Sequence, residues 1–112
     1  MKRSGTVILR KMTQYCREVT DFIHGHDMAS FVNDLKTFRA VTLSLIQIGE
    51  LAYVAGEELK SGNPQIDWKG VSGLRHRLVH DYEDINHSLI WDIAKNQVPV
   101  LTKQLEQITV KE

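Results

Sequence analysis

Between Leu74 and Tyr82 the chain reads Leu-Arg-His-Arg-Leu-Val-His-Asp-Tyr. Two arginines, two histidines and a tyrosine are thus crowded into a stretch whose apolar residues repeat with helical spacing. At 100° per residue, Val71, Leu74, Leu78, Val79 and Tyr82 fall within a sector about 140° wide, and Arg75 lies inside it, about 20° from Tyr82. An arginine in an apolar sector is costly unless it is paired or lines a polar cavity. Such conflicts between pattern and packing mark candidate functional sites.

Arg75 and His80 suit phosphate-ester chemistry. Histidine, with a reference pKa near 6.5, gives and takes protons at neutral pH. Arginine stays charged and braces a phosphoryl group with parallel hydrogen bonds. RNA cleavage through its own 2′-hydroxyl needs a base, an acid and a positive clamp. The alternative is a structural Arg–carboxylate pair beside a surface histidine. His76 and His80, four apart, have zinc-ligand spacing, but Arg77 stands where a zinc protease would carry glutamate. A cation there disfavours a metal, and although Asp81, Glu83, Asp84 and His87 lie close, no third ligand is evident. Neither a metal nor another cofactor is expected.

Glu50 is the natural partner for Arg75. It sits in Leu45-Ile46-Gln47-Ile48-Gly49-Glu50-Leu51-Ala52, where an unpaired carboxylate would be unfavourable. Gly49 beside it permits close helix approach, so a Glu50–Arg75 contact between two helices resolves both misplaced charges. Such a pair could hold Arg75 for catalysis or be architecture alone. Arg75 and His80 are five apart, about 140° around a helix. They share a site only if the helix frays near Val79 or if two chains combine.

The elements that must position these residues are helical. Ile8, Met12, Tyr15, Cys16, Val19, Phe22 and Ile23 form a first stripe, ended by His24-Gly25-His26-Asp27. Ser30 is expected to cap a second, long helix with the stripe Phe31, Leu35, Phe38, Val41, Leu45, Ile48, Ala52, Ala55 and Leu59. Between Val41 and Ala55 the apolar surface broadens to a second face, which a partner chain could cover. Residues 60–65 form a breaker cluster. Asp67 is expected to cap a short turn at Trp68-Lys69, with Gly70 and Gly73 loosening the way into the Arg75 helix. Asn86 should cap the last helix, and Pro99 should kink it. No alternating run reads as a strand. The expected fold is all-α: a single domain over residues 1–112, an up-and-down bundle of four main helices with one short extra turn.

Composition bounds the function. The 112 residues are 42% hydrophobic and 25% charged with formal net charge zero, which argues against nucleic-acid binding by bulk charge. Residues 1–39 nevertheless carry seven Lys/Arg against four Asp/Glu, and residues 40–112 seven against ten. RNA would have to be held by a local patch, perhaps one built from two chains. No segment is apolar for long enough to span a membrane. Arg10 and Lys11 interrupt any signal-peptide core, so a cytoplasmic protein is expected. The single cysteine, Cys16, lies on an apolar stripe and is read as packing.

Arg75-x4-His80-x-Tyr82 resembles the signature of the HepT toxins, a branch of the HEPN ribonuclease superfamily. The resemblance extends in order through Asn33-Asp34-x2-Thr37-x2-Ala40-Val41, Ile48-Gly49-Glu50, Ile66-Asp67-Trp68, Gly73-Leu74-Arg75, Ile90-Trp91-x-Ile93 and Pro99-x-Leu101, covering roughly residues 5–108. It implies a HEPN-like homodimer whose two motifs face a shared cleft, and metal-independent RNA cleavage as a toxin. It further implies an antitoxin, a nucleotidyltransferase of the MntA type that silences the toxin by attaching AMP to the motif tyrosine, here Tyr82. By this resemblance Arg75 and His80 are the catalytic pair; His76 and Glu50, from their own positions and chemistry, are read as supporting them. His76 stands where the family usually has a small polar residue, and Asp81 adds a negative charge. The alternative role is a non-catalytic HEPN subunit that binds or regulates the nucleotidyltransferase. Read from its residues alone, Tyr82 is a core tyrosine packed beside Leu78.

Overall fold

The computed structural model describes residues 4–80, 84 and 86–108. Among these the chain is helical and contains no strand: α1 (Gly5–Ile23), α2 (Met28–Val32), α3 (Leu35–Val54), α4 (Glu57–Gly62), α5 (Trp68–His80), α6 (His87–Asp92), a π-helical turn (Ile93–Gln97) and α7 (Val98–Ile108). The four main helices are α1, α3, α5 and the continuous α6–π–α7 rod, which makes the all-α bundle read from the sequence. α3 is central. It packs against α1 on one side and α5 on the other, and α1 also packs against α7.

The core follows from the stripes. Met12, Cys16 and Val19 of α1, Val41, Leu45, Ile48 and Ala52 of α3, and Ile90, Ala94 and Leu105 of the last rod are fully buried. Truncating one of these, Leu45→Ala for instance, is expected to cost about 2–5 kcal/mol. None of the described helices is long and apolar enough to cross a membrane.

Several boundaries differ from the sequence reading. Ser4 caps α1, its side chain accepting from the Val7 N–H at 3.2 Å. The chain then reverses at Gly25, whose φ of +82° suits glycine. Ser30 does not cap a long helix. Asp27 caps the five-residue α2, and Ser30 closes the capping box: its N–H donates to Asp27 Oδ1 at 2.8 Å and its Oγ accepts from the Asp27 N–H at 3.0 Å. The helix breaks at Asn33-Asp34 because Asp34 offers the next helix a better start, accepting from the Thr37 N–H at 3.1 Å and the Thr37 hydroxyl at 2.7 Å. At its other end α3 stops at Val54. Ala55 is extended, and Gly56 opens α4, to which Leu59 belongs.

The short turn expected at Trp68-Lys69 is the first turn of α5, which runs without interruption to His80. Gly70 does not loosen it. The Asp67 cap, accepting from the Gly70 N–H at 3.0 Å, occupies the space where a Cβ on Gly70 would sit. Asn86 caps α6 as expected, accepting from the Ser88 and Leu89 N–H groups at 2.9 and 3.3 Å. The disturbance due to Pro99 takes the form of a π turn just before it, in which the Val98 N–H reaches back to the Ile93 carbonyl. Widening that turn makes room for a ring that would otherwise press on the carbonyl four residues earlier.

Candidate active site at the crossing of α3 and α5

α3 and α5 meet at Gly49. A Cβ there would lie 2.6 Å from the Arg75 backbone nitrogen and 3.1 Å from the Val71 carbonyl oxygen, so only glycine allows this approach. The contact sets the Arg75 backbone against the turn of α3 that carries Glu50, and Arg75 Nε forms an ion pair with Glu50 Oε1. One turn further along α3, the Tyr53 ring lies beneath the same guanidinium, with Arg75 Cζ 4.6 Å from its centroid. The two charges that conflicted with their apolar surroundings in the sequence are thus paired with each other.

This ion pair is not a buried structural bridge. The Arg75 and Glu50 side chains are 39% and 43% exposed, and an ion pair so open to solvent contributes little to stability. Its effect is to orient. A guanidinium has five N–H donors and a carboxylate engages two at most in a fork, so donors remain for an anion.

His80 closes α5, and His76 stands one turn before it on the same face, their rings 4.5 Å apart between centroids. Both are exposed. Because α5 is regular as far as His80, the fraying near Val79 that would bring His80 round to Arg75 is not present. Within one chain the two residues therefore occupy different faces. Among the described residues no group of three or more His, Cys, Asp and Glu side chains could hold a metal ion. Tyr82, Asp81 and Glu83 lie outside the described residues.

The surface around the pair is apolar and open. Leu43, Ile46, Gln47, Tyr53 and Val54 all lie within about 60° of Glu50 around α3. Of these, Leu43, Tyr53 and Val54 are exposed, as is Val79 of α5, one turn after Arg75. The second apolar face of α3 is therefore real and is left uncovered by the described residues. Two grooves among the described residues, one lined by α1, α4 and α7 and one by α5 and α7, include none of Arg75, Glu50 and His80.

Tyr53 is the site residue that sequence reasoning missed. In the sequence it falls within the second apolar face between Val41 and Ala55, although its place one turn after Glu50 puts it beside any partner of that carboxylate. Two other groups are set aside. Burial pushes the Cys16 thiol up to about 12, so it is an inert core residue. Ser30, His26 and Asp34 touch in the manner of a nucleophile–base–acid relay, with Ser30 Oγ 2.9 Å from His26 Nδ1 and His26 Nε2 3.7 Å from Asp34 Oδ2. That hydroxyl, however, is occupied with the Asp27 backbone, and both carboxylates are engaged as helix caps.

The sequence matches known proteins over nearly its whole length. The profile of the family described as "Ribonuclease HepT-like" matches residues 12–108. A candidate RNase of Methanocaldococcus jannaschii is 36% identical over 107 residues, which cover 96% of this chain and 88% of that protein. A candidate RNase of Caldanaerobacter subterraneus subsp. tengcongensis is 31% identical over 104 residues, 93% of each chain. A protein of Thermococcus cleftensis named probable ribonuclease HepT is 27% identical over 108 residues, 96% of this chain and 98% of its own. No solved structure gives a significant match.

Proposed function

The chain belongs to the HepT-like ribonuclease family, and on that footing we propose that it is a metal-independent endoribonuclease acting in the cytoplasm as the toxin of a toxin–antitoxin pair. The observation that carries the reading is Arg75: a cation in an apolar sector, fixed through Nε by Glu50, with donors to spare. His80 moves the protons. The 2′-oxygen of RNA attacks the adjacent phosphorus as its proton passes to a base. The 5′-oxygen then leaves with a proton, giving a 2′,3′-cyclic phosphate and a 5′-hydroxyl. Arg75 stabilises the charge that builds on the phosphoryl oxygens. His76, one turn from His80, supports it by supplying a second hydrogen-bonding ring.

The working unit in this reading is a homodimer, with Arg75 of one chain facing His80 of the other. Two observations support it. Arg75 and His80 lie on different faces of an unbroken helix, and the apolar side chains of Leu43 and Val54, on the other side of Glu50 from Tyr53 around α3, stand exposed. Bringing two copies of Arg75 together would also create a local positive cleft in a chain of zero net charge. The antitoxin is a nucleotidyltransferase of the MntA type, and the residue it modifies with AMP is Tyr82. The added phosphate would occupy Arg75 in place of substrate.

The test is cleavage of single-stranded RNA in EDTA by the wild type, Arg75→Ala, His80→Ala and an equimolar mixture of the two variants. Wild type should cleave and each variant should be inactive. The mixture should regain about a quarter of the activity, because half of the re-formed dimers hold one intact composite site. No cleavage by the wild type would overturn the ribonuclease reading and favour a non-catalytic subunit. Loss of activity with chelator would overturn the metal-free mechanism, and an inactive mixture would overturn the composite site.

A further inference from the structure

We propose that the outward face of the Tyr53 ring is a stacking subsite for an unpaired RNA base, beside the phosphate clamp made by Arg75. The inference rests on the reading of Arg75 given above and adds the substrate's base to it. Tyr53 is 59% exposed, although its ring is among the largest apolar surfaces on α3. One face of the ring lies against the Arg75 guanidinium, and the Glu50 carboxylate holds that guanidinium in turn. A ring has two faces, so a cation on one leaves the other open while limiting how the ring can turn. Guanidinium and aromatic ring side by side match adjacent parts of a nucleotide, its phosphate and its base. Unpaired bases are bound in this way, by stacking on aromatic side chains next to a cationic track.

The charge balance gives the subsite a reason. With net charge zero, this chain cannot hold RNA through bulk electrostatics, the usual source of affinity. Stacking on an exposed ring supplies binding that does not depend on charge, and it is indifferent to base identity because every base has a π-face.

The experiment uses a short 2′-O-methyl oligoribonucleotide, which lacks the attacking hydroxyl, with 2-aminopurine in place of adenine. Stacking quenches its fluorescence. Wild type should bind and quench it. Tyr53→Leu should bind about 10-fold more weakly, as for loss of one base stack, and should not quench, while Tyr53→Phe and Tyr53→Trp retain both properties. Sedimentation of Tyr53→Leu should match the wild type. Quenching that survives Tyr53→Leu, or no quenching by the wild type, overturns the subsite. Altered sedimentation of Tyr53→Leu also overturns it and assigns the ring to a contact between two copies. The result separates from the reading of the reaction: quenching without RNA cleavage leaves the subsite standing and removes the enzyme, and cleavage unchanged in Tyr53→Leu with no loss of quenching does the reverse.

Discussion

The corner between α1 and α3 and the crossing of α3 with α5 both gather residues of acid–base chemistry, but they use their polar groups in opposite ways. At the corner, the side chains of Asp27, Ser30 and Asp34 accept from backbone N–H groups, the Thr37 hydroxyl donates to Asp34, and His26 rests against Ser30. Three of these hydrogen bonds satisfy backbone N–H groups at the starts of α2 and α3. At the crossing, Glu50 and Arg75 satisfy each other only in part, Tyr53 is half open to solvent, and the surroundings are apolar and uncovered. A polar cluster that closes on itself holds a turn together. One that keeps charged donors unspent on an apolar face can bind something else.

Substitutions can break or sharpen this contrast. The largest effect is expected for Arg75→Ala and His80→Ala, which should each lower the single-turnover RNA cleavage rate on the order of 100- to 1000-fold. Their circular dichroism should remain that of the wild type, because both side chains contribute little to the core. Gly49→Val comes next. Its side chain would drive α3 and α5 apart at the Arg75 backbone, lowering stability by about 1–3 kcal/mol in chemical denaturation and activity along with it, since displacing a catalytic group by about 1 Å can cost up to 100-fold.

Glu50→Gln keeps a hydrogen-bond acceptor but loses the charge. Cleavage should fall about 10-fold, while stability changes by less than about 1 kcal/mol, because the pair is solvent-exposed. Equal and large losses of both would show that the crossing is as structural as the corner. Asp34→Ala should do the converse, lowering the melting temperature without altering the cleavage rate of the protein that remains folded.

The smallest effect is the pH dependence of the corner. The Thr37 hydroxyl and N–H hold the Asp34 carboxyl below its ordinary value of 3.8, and the Ser30 N–H does the same for Asp27. A carboxyl whose pKa is depressed by folding adds stability that is fully present above the ordinary value and is lost as pH falls through the folded one. Thermal melts should therefore lose this contribution only in acid, below about pH 4, and Asp34→Ala should weaken the dependence there. An unchanged acid limb in that variant would contradict the cap assignment.

The sequence by itself determined the helical class, the four main stripes, the caps at Asp67 and Asn86, and the need to pair Glu50 with Arg75. Each of these follows from period, from local side-chain chemistry or from the cost of an unpaired charge among apolar residues. Only the tertiary structure decided where the helices break. Phe31 and Phe38 are seven residues apart and remain on one stripe whether or not the helix runs between them, so periodicity passes unchanged over Asn33-Asp34. The break depends on Asp34 outcompeting the continuing backbone ladder. The same holds for Pro99, where the sequence indicated a disturbance and the packed rod took it up as a π turn. Tyr53 was invisible as a site residue for a related reason. Its sequence neighbours are apolar, and what makes it distinctive is a guanidinium twenty-two residues further along the chain, delivered only because Gly49 lets two backbones touch.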